Sequence, residues 1–466
     1  MKSRNNYLLL AFVFFSLLTV FSLSIPFFWD GTFFSEIAVN LFDKGLLHLS
    51  DTSHPDTGGF PLYSLYMATV WKISGKSLAV SHFAILPFLF GILVQYYKLC
   101  KRFLNPSVIP AALLLLICEP VFITQSILMG YDILMVYFFM LALNALLAER
   151  KLLFPLALTL LCMSSIRGMM LGFSLLLIDL SINKKISFAA IKKYIPAAVI
   201  VLLWTIYHHH KTGWFFFSPD RENTHEAVLP AGMILKQVAY MIWKLIDFGR
   251  ITLWLFAVIV GIYVYRKNKN AELLTIFKMV LLPLIVLIVC MAPFGNPAGH
   301  KYFIAVFLLL NIAVCYLLQA LINKQSRNIL IFAFVLSLLS GNFILYPERY
   351  GNGWDSSLKV IPYFQLKNNM DAFISEQKIP ANDVGTQYPL IADKRFSQLT
   401  ENSFRYNNVW SGPVENYNYF LFTNVINTDI PEQVEHVKKE WTLLKRMESG
   451  QVYMELYRKK SLRIIE

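Results

Sequence analysis

Acidic and basic residues recur at the ends of long apolar runs in this 466-residue chain. Asp30 sits in Phe27-Phe28-Trp29-Asp30-Gly31-Thr32, immediately after the first apolar run, and Asp132 opens another in Gly130-Tyr131-Asp132-Ile133. A carboxylate at the mouth of a membrane bundle, beneath aromatic side chains, suits a base that meets a lipid-borne substrate. Arg167, in Ser164-Ser165-Ile166-Arg167-Gly168, and Lys301, in Gly299-His300-Lys301-Tyr302, supply cationic donors of the kind that hold a phosphate or diphosphate. Each of these residues also has a purely structural role open to it. Asp30 can cap a helix, Asp132 can sit in a first turn against the helix dipole, Lys301 can snorkel, and Tyr302 can belong to an aromatic belt. His208-His209-His210, Asp220, Glu222, His225 and Glu226 are metal-capable, but their spacing matches no specific site. Interfacial polar residues are the preferred reading there, and a divalent cation is left open.

The elements that must position these groups follow from composition. With 56% hydrophobic and only 15% charged residues, the bilayer must be the main solvent. The apolar blocks, about 14 to 21 residues long, suit helices crossing a hydrocarbon core rather than barrel strands. They predict spans at 7–26, 79–97, 107–123, 131–148, 152–164, 168–181, 192–208, 250–266, 273–292, 301–320 and 328–345, eleven in all. The basic clusters, such as Lys98/Lys101/Arg102, Glu149-Arg150-Lys151 and Arg266-Lys267, then fall on one face, which the positive-inside rule makes cytoplasmic. The formal charge of +13 is thus a topology signal and not a nucleic-acid footprint. The first span lacks a small-residue cleavage site and reads as an uncut anchor. Segment 152–181 is expected to form a hairpin that lifts Arg167 to the outer surface, because a charge in hydrocarbon is costly.

A multi-pass protein of the cytoplasmic membrane follows, with its N-terminus cytoplasmic. Residues 1–346 form the transmembrane domain, with outer loops 27–78 and 209–249, and residues 347–466 a small α/β extracytoplasmic domain. In the first loop, residues 32–44 and 61–74 are amphipathic and predict interfacial helices. In the terminal domain a helix is expected at 364–378, strands near 383–388, 418–425, 441–446 and 451–458, and a turn at Ser449-Gly450. None of the five cysteines lies in this region, so no disulfide framework is expected.

The stretch Trp29-Asp30-Gly31-Thr32-Phe33-Phe34-Ser35-Glu36-Ile37-Ala38 resembles the acidic first-loop motif of GT-C glycosyltransferases, in the branch of protein O-mannosyltransferases and the lipid A aminoarabinose transferase. His54-Pro55, Pro61-Leu62-Tyr63 and Gly75-Lys76-Ser77 are similar to that branch's H-P-P-L-Y segment and the G-x-S after it. Asp132 matches its second acidic position, Arg167 the basic residue of a T-K-G-like hairpin, and His300-Lys301-Tyr302 the R-Y-like start of a late span. The chain departs from the pattern in having Asp30-Gly31 for an Asp-Glu pair, five residues between Pro55 and Pro61, and arginine for lysine at 167.

The resemblance implies a GT-C-like polytopic helical fold and an inverting transfer of a sugar from a polyprenyl-phosphate donor to a lipid, glycan or protein acceptor at the outer face. Asp30 would be the base and Asp132 its acidic partner. Arg167, His300, Lys301, Tyr302 and His54 would bind the donor phosphate or the acceptor. Membrane lipids are the other expected partners, no cofactor is certain, and nucleic acid is not expected. Two other classes fit the spans: a lipid-linked sugar flippase, which would not explain the terminal domain, and a non-catalytic scaffold, which would not need acids and cations at several outward turns.

Overall fold

The computed structural model describes residues 6–49, 56, 58–183, 191–216, 227–296, 298–320, 323–348, 350–409, 413–426 and 432–460. His54, Asp220, Glu222, His225 and Glu226 lie outside the described residues. Helix α1 (Asn6–Phe21) packs on α4 (Leu78–Phe103), whose N-terminus is capped by the Ser77 hydroxyl accepting from the Val80 amide at 3.2 Å. Between them lie the two helices that the amphipathic patterns predict, α2 (Asp30–Lys44) and α3 (Leu62–Ser74), which pack on one another. The buried side of α2 carries Phe34, Ser35, Ala38 and Leu41, while Phe33 is exposed.

The block 107–123, read as one span, contains a break between α5 (Ile109–Ile117) and α6 (Pro120–Ile127), which are bent by 56°. Pro120 drives Glu119 out of the helical region, and the freed Glu119 carboxylate accepts from the Val121 amide at 3.2 Å. Helix α7 (Asp132–Leu147) follows, then α8 (Leu153–Ser164) and α9 (Ile166–Asn183), which are separated by the single extended residue Ser165. The last two fold back on one another as a hairpin. A Cβ at Gly168 would meet the Leu161 carbonyl oxygen at 2.1 Å, and one at Gly172 the Cys162 sulfur at 2.9 Å. Only glycine permits an approach that close, the small-residue packing common between membrane helices.

Helix α10 (Ile195–Thr212) leads to α11 (Ala231–Ile246) and α12 (Ile251–Asn268), which meet at 92°. The amphipathic α11, within the loop read as 209–249, was not foreseen. After α13 (Ala271–Met291) a 3-10 turn, His300–Phe303, enters α14 (Ile304–Gln319), which is buried from Ile304 to Leu318 and forms the bundle's axis. Helix α15 (Lys324–Ser340) closes the bundle. Among the described residues four helices are long and apolar enough to cross a membrane, six if each bent pair is one span, and α1, α7 and α8 are shorter. That is fewer than the eleven blocks read from the sequence.

The C-terminal region places α16 (Ile361–Glu376) against a five-stranded sheet of order β2-β1-β3-β5-β4. Strand β1 (Val384–Thr386) pairs in parallel with β2 (Asn407–Asn408) and β3 (Tyr419–Thr423). Strand β5 (Val452–Arg458) runs antiparallel to β3 and to β4 (Thr442–Ser449). The β4–β5 hairpin turns at Gly450, whose φ of +58° suits glycine. A short helix, α17 (Lys394–Ser397), packs on α2, and α18 (Glu432–Glu440) precedes β4. The apolar core of this region takes in Phe28 and Leu128 from the bundle, together with Trp354, Tyr363 and Phe364. It is therefore seated directly on the mouth of the helices, over the turn that precedes Asp30.

Candidate active site

Asp30 is the first residue of α2, not its cap. The N-cap position belongs to Trp29, at φ 52° and ψ −131°, and no side chain caps the helix. A non-glycine residue held there carries backbone strain of roughly 1–3 kcal/mol, of the kind found where a neighbouring side chain must be aimed. The Asp30 carboxylate meets the ammonium group of Lys301, with Oδ2 to Nζ at 2.8 Å. Lys301, from the 3-10 turn before α14, simultaneously contacts Asp355 Oδ2 at 2.7 Å. Asp355 enters from the first turn of the C-terminal region, after Gly353 at φ +61°, and its carbonyl accepts from Gln125 Nε2 of α6 at 2.6 Å.

Beside this triad, Arg167 Nη1 pairs with Asp132 Oδ1 at 2.7 Å, and its guanidinium lies 3.8 Å from the centre of the Tyr302 ring and 5.1 Å from that of Tyr131. Arg167 is thus buried at the hairpin turn under Tyr302, not displayed on the outer surface as expected. Asp132 Oδ2 and Arg167 Nη2 are buried without a hydrogen-bond partner among the described residues. Buried polar atoms are rarely left so, and at the mouth of a bundle two of opposite polarity invite a ligand.

The structure therefore brings together Asp30, Asp132, Arg167, Lys301 and Tyr302 from four separate stretches of chain, and adds Asp355, which sequence reasoning missed. Burial by itself would raise the Asp355 pKa, but the Lys301 charge and the hydrogen bonds from Lys301 and Ser356 outweigh it and hold the carboxyl below its usual value. The three carboxylates differ in access: the Asp30 side chain is 31% exposed, Asp355 8% and Asp132 0%. Asp30 alone among them is open to an incoming group.

His300 is engaged elsewhere. Its Nε2 lies 2.7 Å from Asp247 Oδ2, and its ring stacks on Phe248 at 4.2 Å. Burial would raise the Asp247 pKa, but bonds from His300, Tyr346 and the Phe248 amide keep it well below the carboxylate range. A second buried ion pair, also unforeseen, joins Arg250 to Glu119, with Arg250 Nε 3.2 Å from each carboxylate oxygen and the guanidinium 3.8 Å from the Phe307 ring centre. Away from this cluster, Asp56 Oδ2 accepts from His208 Nε2 at 2.9 Å and from Trp214 Nε1 at 2.6 Å, which ties the segment before α3 to the end of α10. Among the described residues no group of three or more His, Cys, Asp or Glu is arranged to hold a metal ion.

No family model and no curated protein matches the sequence. Solved structures do. The crystal structure of ArnT from Cupriavidus metallidurans bound to undecaprenyl phosphate aligns with a TM-score of 0.52 at 11% identity, covering 97% of this chain and 98% of that one. The apo state of the same protein aligns with a TM-score of 0.55 at the same identity and coverage. At that identity the likeness is one of fold, and it runs the length of both chains: the architecture is the ArnT-like GT-C fold.

Proposed function

We propose that a chain with this GT-C fold, and with an accessible aspartate held against a buried lysine at the bundle mouth, is a glycosyltransferase that takes its sugar from a polyprenyl-phosphate donor. The acceptor is a hydroxyl or phosphate oxygen of a lipid, glycan or protein at the outer face of the cytoplasmic membrane. Residues 1–346 form the catalytic membrane domain, with the N-terminus cytoplasmic, and residues 347–466 the extracytoplasmic domain. The observation that carries the reading is the difference in access within the cluster: of three carboxylates sharing two cations, only Asp30 is open. Support also comes from the aligned ArnT structure, which holds undecaprenyl phosphate.

In this reaction the acceptor oxygen forms a bond to the anomeric carbon while that carbon's bond to the phosphate oxygen breaks. Asp30 receives the acceptor proton, and polyprenyl phosphate departs with the bonding electron pair, so the sugar inverts. A phosphate leaving group needs no general acid, and one base is enough. Lys301 orients Asp30, and its third N–H remains for the departing phosphate, since two are directed at carboxylates. Arg167, fixed by Asp132 and flat on Tyr302, presents Nη2 to the same charge.

The test is turnover of candidate polyprenyl-phosphate sugars by the purified protein, followed by mass spectrometry, with Asp30→Asn alongside. The variant should bind donor as the parent does and lose about 10²–10⁴-fold in turnover, the range for a lost general base. Full activity of Asp30→Asn would remove this aspartate from the chemistry.

A further inference from the structure

The strained residue Trp29, whose carbonyl accepts from the Thr32 amide at 2.9 Å within its own turn, is also held from outside that turn. Three hydrogen bonds from one stretch of the C-terminal region, 388–397, bracket it. The Phe27 amide donates to the Ser397 carbonyl at 2.9 Å, the Tyr388 hydroxyl to the Trp29 carbonyl at 2.6 Å, and the Ser35 hydroxyl to the Phe396 carbonyl at 2.6 Å. The Tyr388 ring also meets Trp29 edge-on, with centroids 5.0 Å apart, and stacks parallel to Phe33 at 6.0 Å. Immediately upstream, Phe28 packs against both Tyr363 and Phe364, with ring centroids 5.4 and 5.5 Å away. Every one of these contacts falls on a residue flanking Asp30, whose own side chain pairs with Lys301.

We infer that the C-terminal region sets the geometry of the base: Tyr388, through the Trp29 carbonyl, is a positioning residue that holds the Trp29 backbone at positive φ and thereby aims Asp30 at Lys301. At φ 52° and ψ −131° the backbone is the mirror image of an ordinary extended conformation, which tryptophan avoids and glycine adopts freely. Released from Tyr388, Trp29 would return to negative φ, and the first turn of α2 would carry the carboxylate away from the lysine. On this account the terminal region is part of the active site without contributing the base. The catalytic consequence rests on the transfer reaction proposed above, whereas the conformational claim does not.

The experiment is a double-mutant cycle of Tyr388→Phe and Trp29→Gly in the full-length protein, read in two ways. Tyr388→Phe keeps the ring and removes only the hydroxyl. Amide hydrogen exchange over residues 28–34 should speed up about tenfold in Tyr388→Phe, the effect of one lost hydrogen bond to a strained unit. In the Trp29→Gly background, where positive φ costs nothing, the same replacement should change exchange by less than about threefold. This readout needs no donor and decides the inference even if no sugar is transferred. In turnover, Tyr388→Phe should lower kcat about tenfold with KM for the donor unchanged, and the loss should shrink in the Trp29→Gly background. Equal effects of Tyr388→Phe with and without Trp29→Gly would overturn the inference, as would unchanged exchange in the single variant. Should Trp29→Gly fail to fold, Ser35→Ala supplies the control: it cuts a neighbouring bond that does not touch Trp29 and should leave exchange at 28–30 near the parent rate.

Discussion

Replacing Lys301 with methionine removes the cation that bridges Asp30 and Asp355 while keeping an unbranched apolar stem. Asp30 can then turn to water, but Asp355, with 8% side-chain exposure, keeps among the described residues only the side-chain hydrogen bond from Ser356. Removing one partner of a buried pair costs about 3–5 kcal/mol. Because only one of the two carboxylates is trapped, we expect the lower end, about 3 kcal/mol at neutral pH.

The pH dependence is more diagnostic than the size. In the parent, Lys301 depresses the Asp355 pKa, so Asp355 contributes stability that is present above its unfolded pKa of about 3.9 and lost as the pH falls through the lower folded value. Without Lys301, burial dominates and the folded pKa rises above 3.9. The sign then reverses, and the penalty is full at neutral pH and relieved as protons bind on acidification. The gap in unfolding free energy between parent and variant, from denaturant titrations in one detergent, should therefore be widest near pH 7 and shrink towards about pH 4. Adding Asp355→Asn to Lys301→Met should restore most of the stability at neutral pH. A gap under about 1 kcal/mol at neutral pH, or one that does not narrow on acidification, would refute the claim that Asp355 is buried against this lysine.

Two further outcomes are expected. Glu36 lies six residues beyond Asp30 on α2, in the company of Asp393, Arg395 and Arg405, and burial together with Asp393 raises its pKa. Glu36→Gln should leave turnover within about twofold, and a loss matching that of Asp30→Asn would make Glu36 a second acid of the site. For topology, Asn402 is exposed in the C-terminal region, while the native cysteines are buried or half-buried in the bundle. A cysteine placed at 402 should react with an impermeant reagent in intact cells. Labelling only after the membrane is breached would put this region in the cytoplasm and overturn its proposed extracytoplasmic placement.

Much of the site was legible because charges in an apolar sequence stand out. Asp30, Asp132, Arg167 and Lys301 each interrupt or border an apolar run, and there the cost of burying charge makes convergence a natural reading. Asp355 gave no such signal, since an aspartate in Gly353-Trp354-Asp355-Ser356 looks like loop polarity, and only the seating of the C-terminal region on Phe28 brings it to Lys301. His300 is expected at the substrate through the likeness of His300-Lys301-Tyr302 to the R-Y-like start of a late span, whereas in the structure it pairs with Asp247, which sits in a corner that periodicity does not locate. The α5–α6 bend was readable in Glu119-Pro120, where proline disfavours a helical residue before it, yet the length of the apolar block argued for one span. The apolar stripe of α11, with Leu235, Ile242 and Ile246 exposed, was present in the sequence but lay inside what read as a loop. The two-residue strand β2, Asn407–Asn408, carries no strand signal, and its pairing is imposed by β1.

The Glu119–Arg250 pair ties the bundle to the order of its own synthesis. The partners are 131 residues apart in sequence, and at ribosomal rates of about 5–20 residues per second the arginine appears roughly 7–26 seconds after the glutamate. For that interval the Glu119 carboxylate lacks the guanidinium against which it is buried in the finished bundle. Helices α5 and α6 therefore reach their final packing only once the residue that opens α12 has been made. The helices that carry the mouth of the site are in this sense finished late, from the C-terminal side, even though most of their residues are made early.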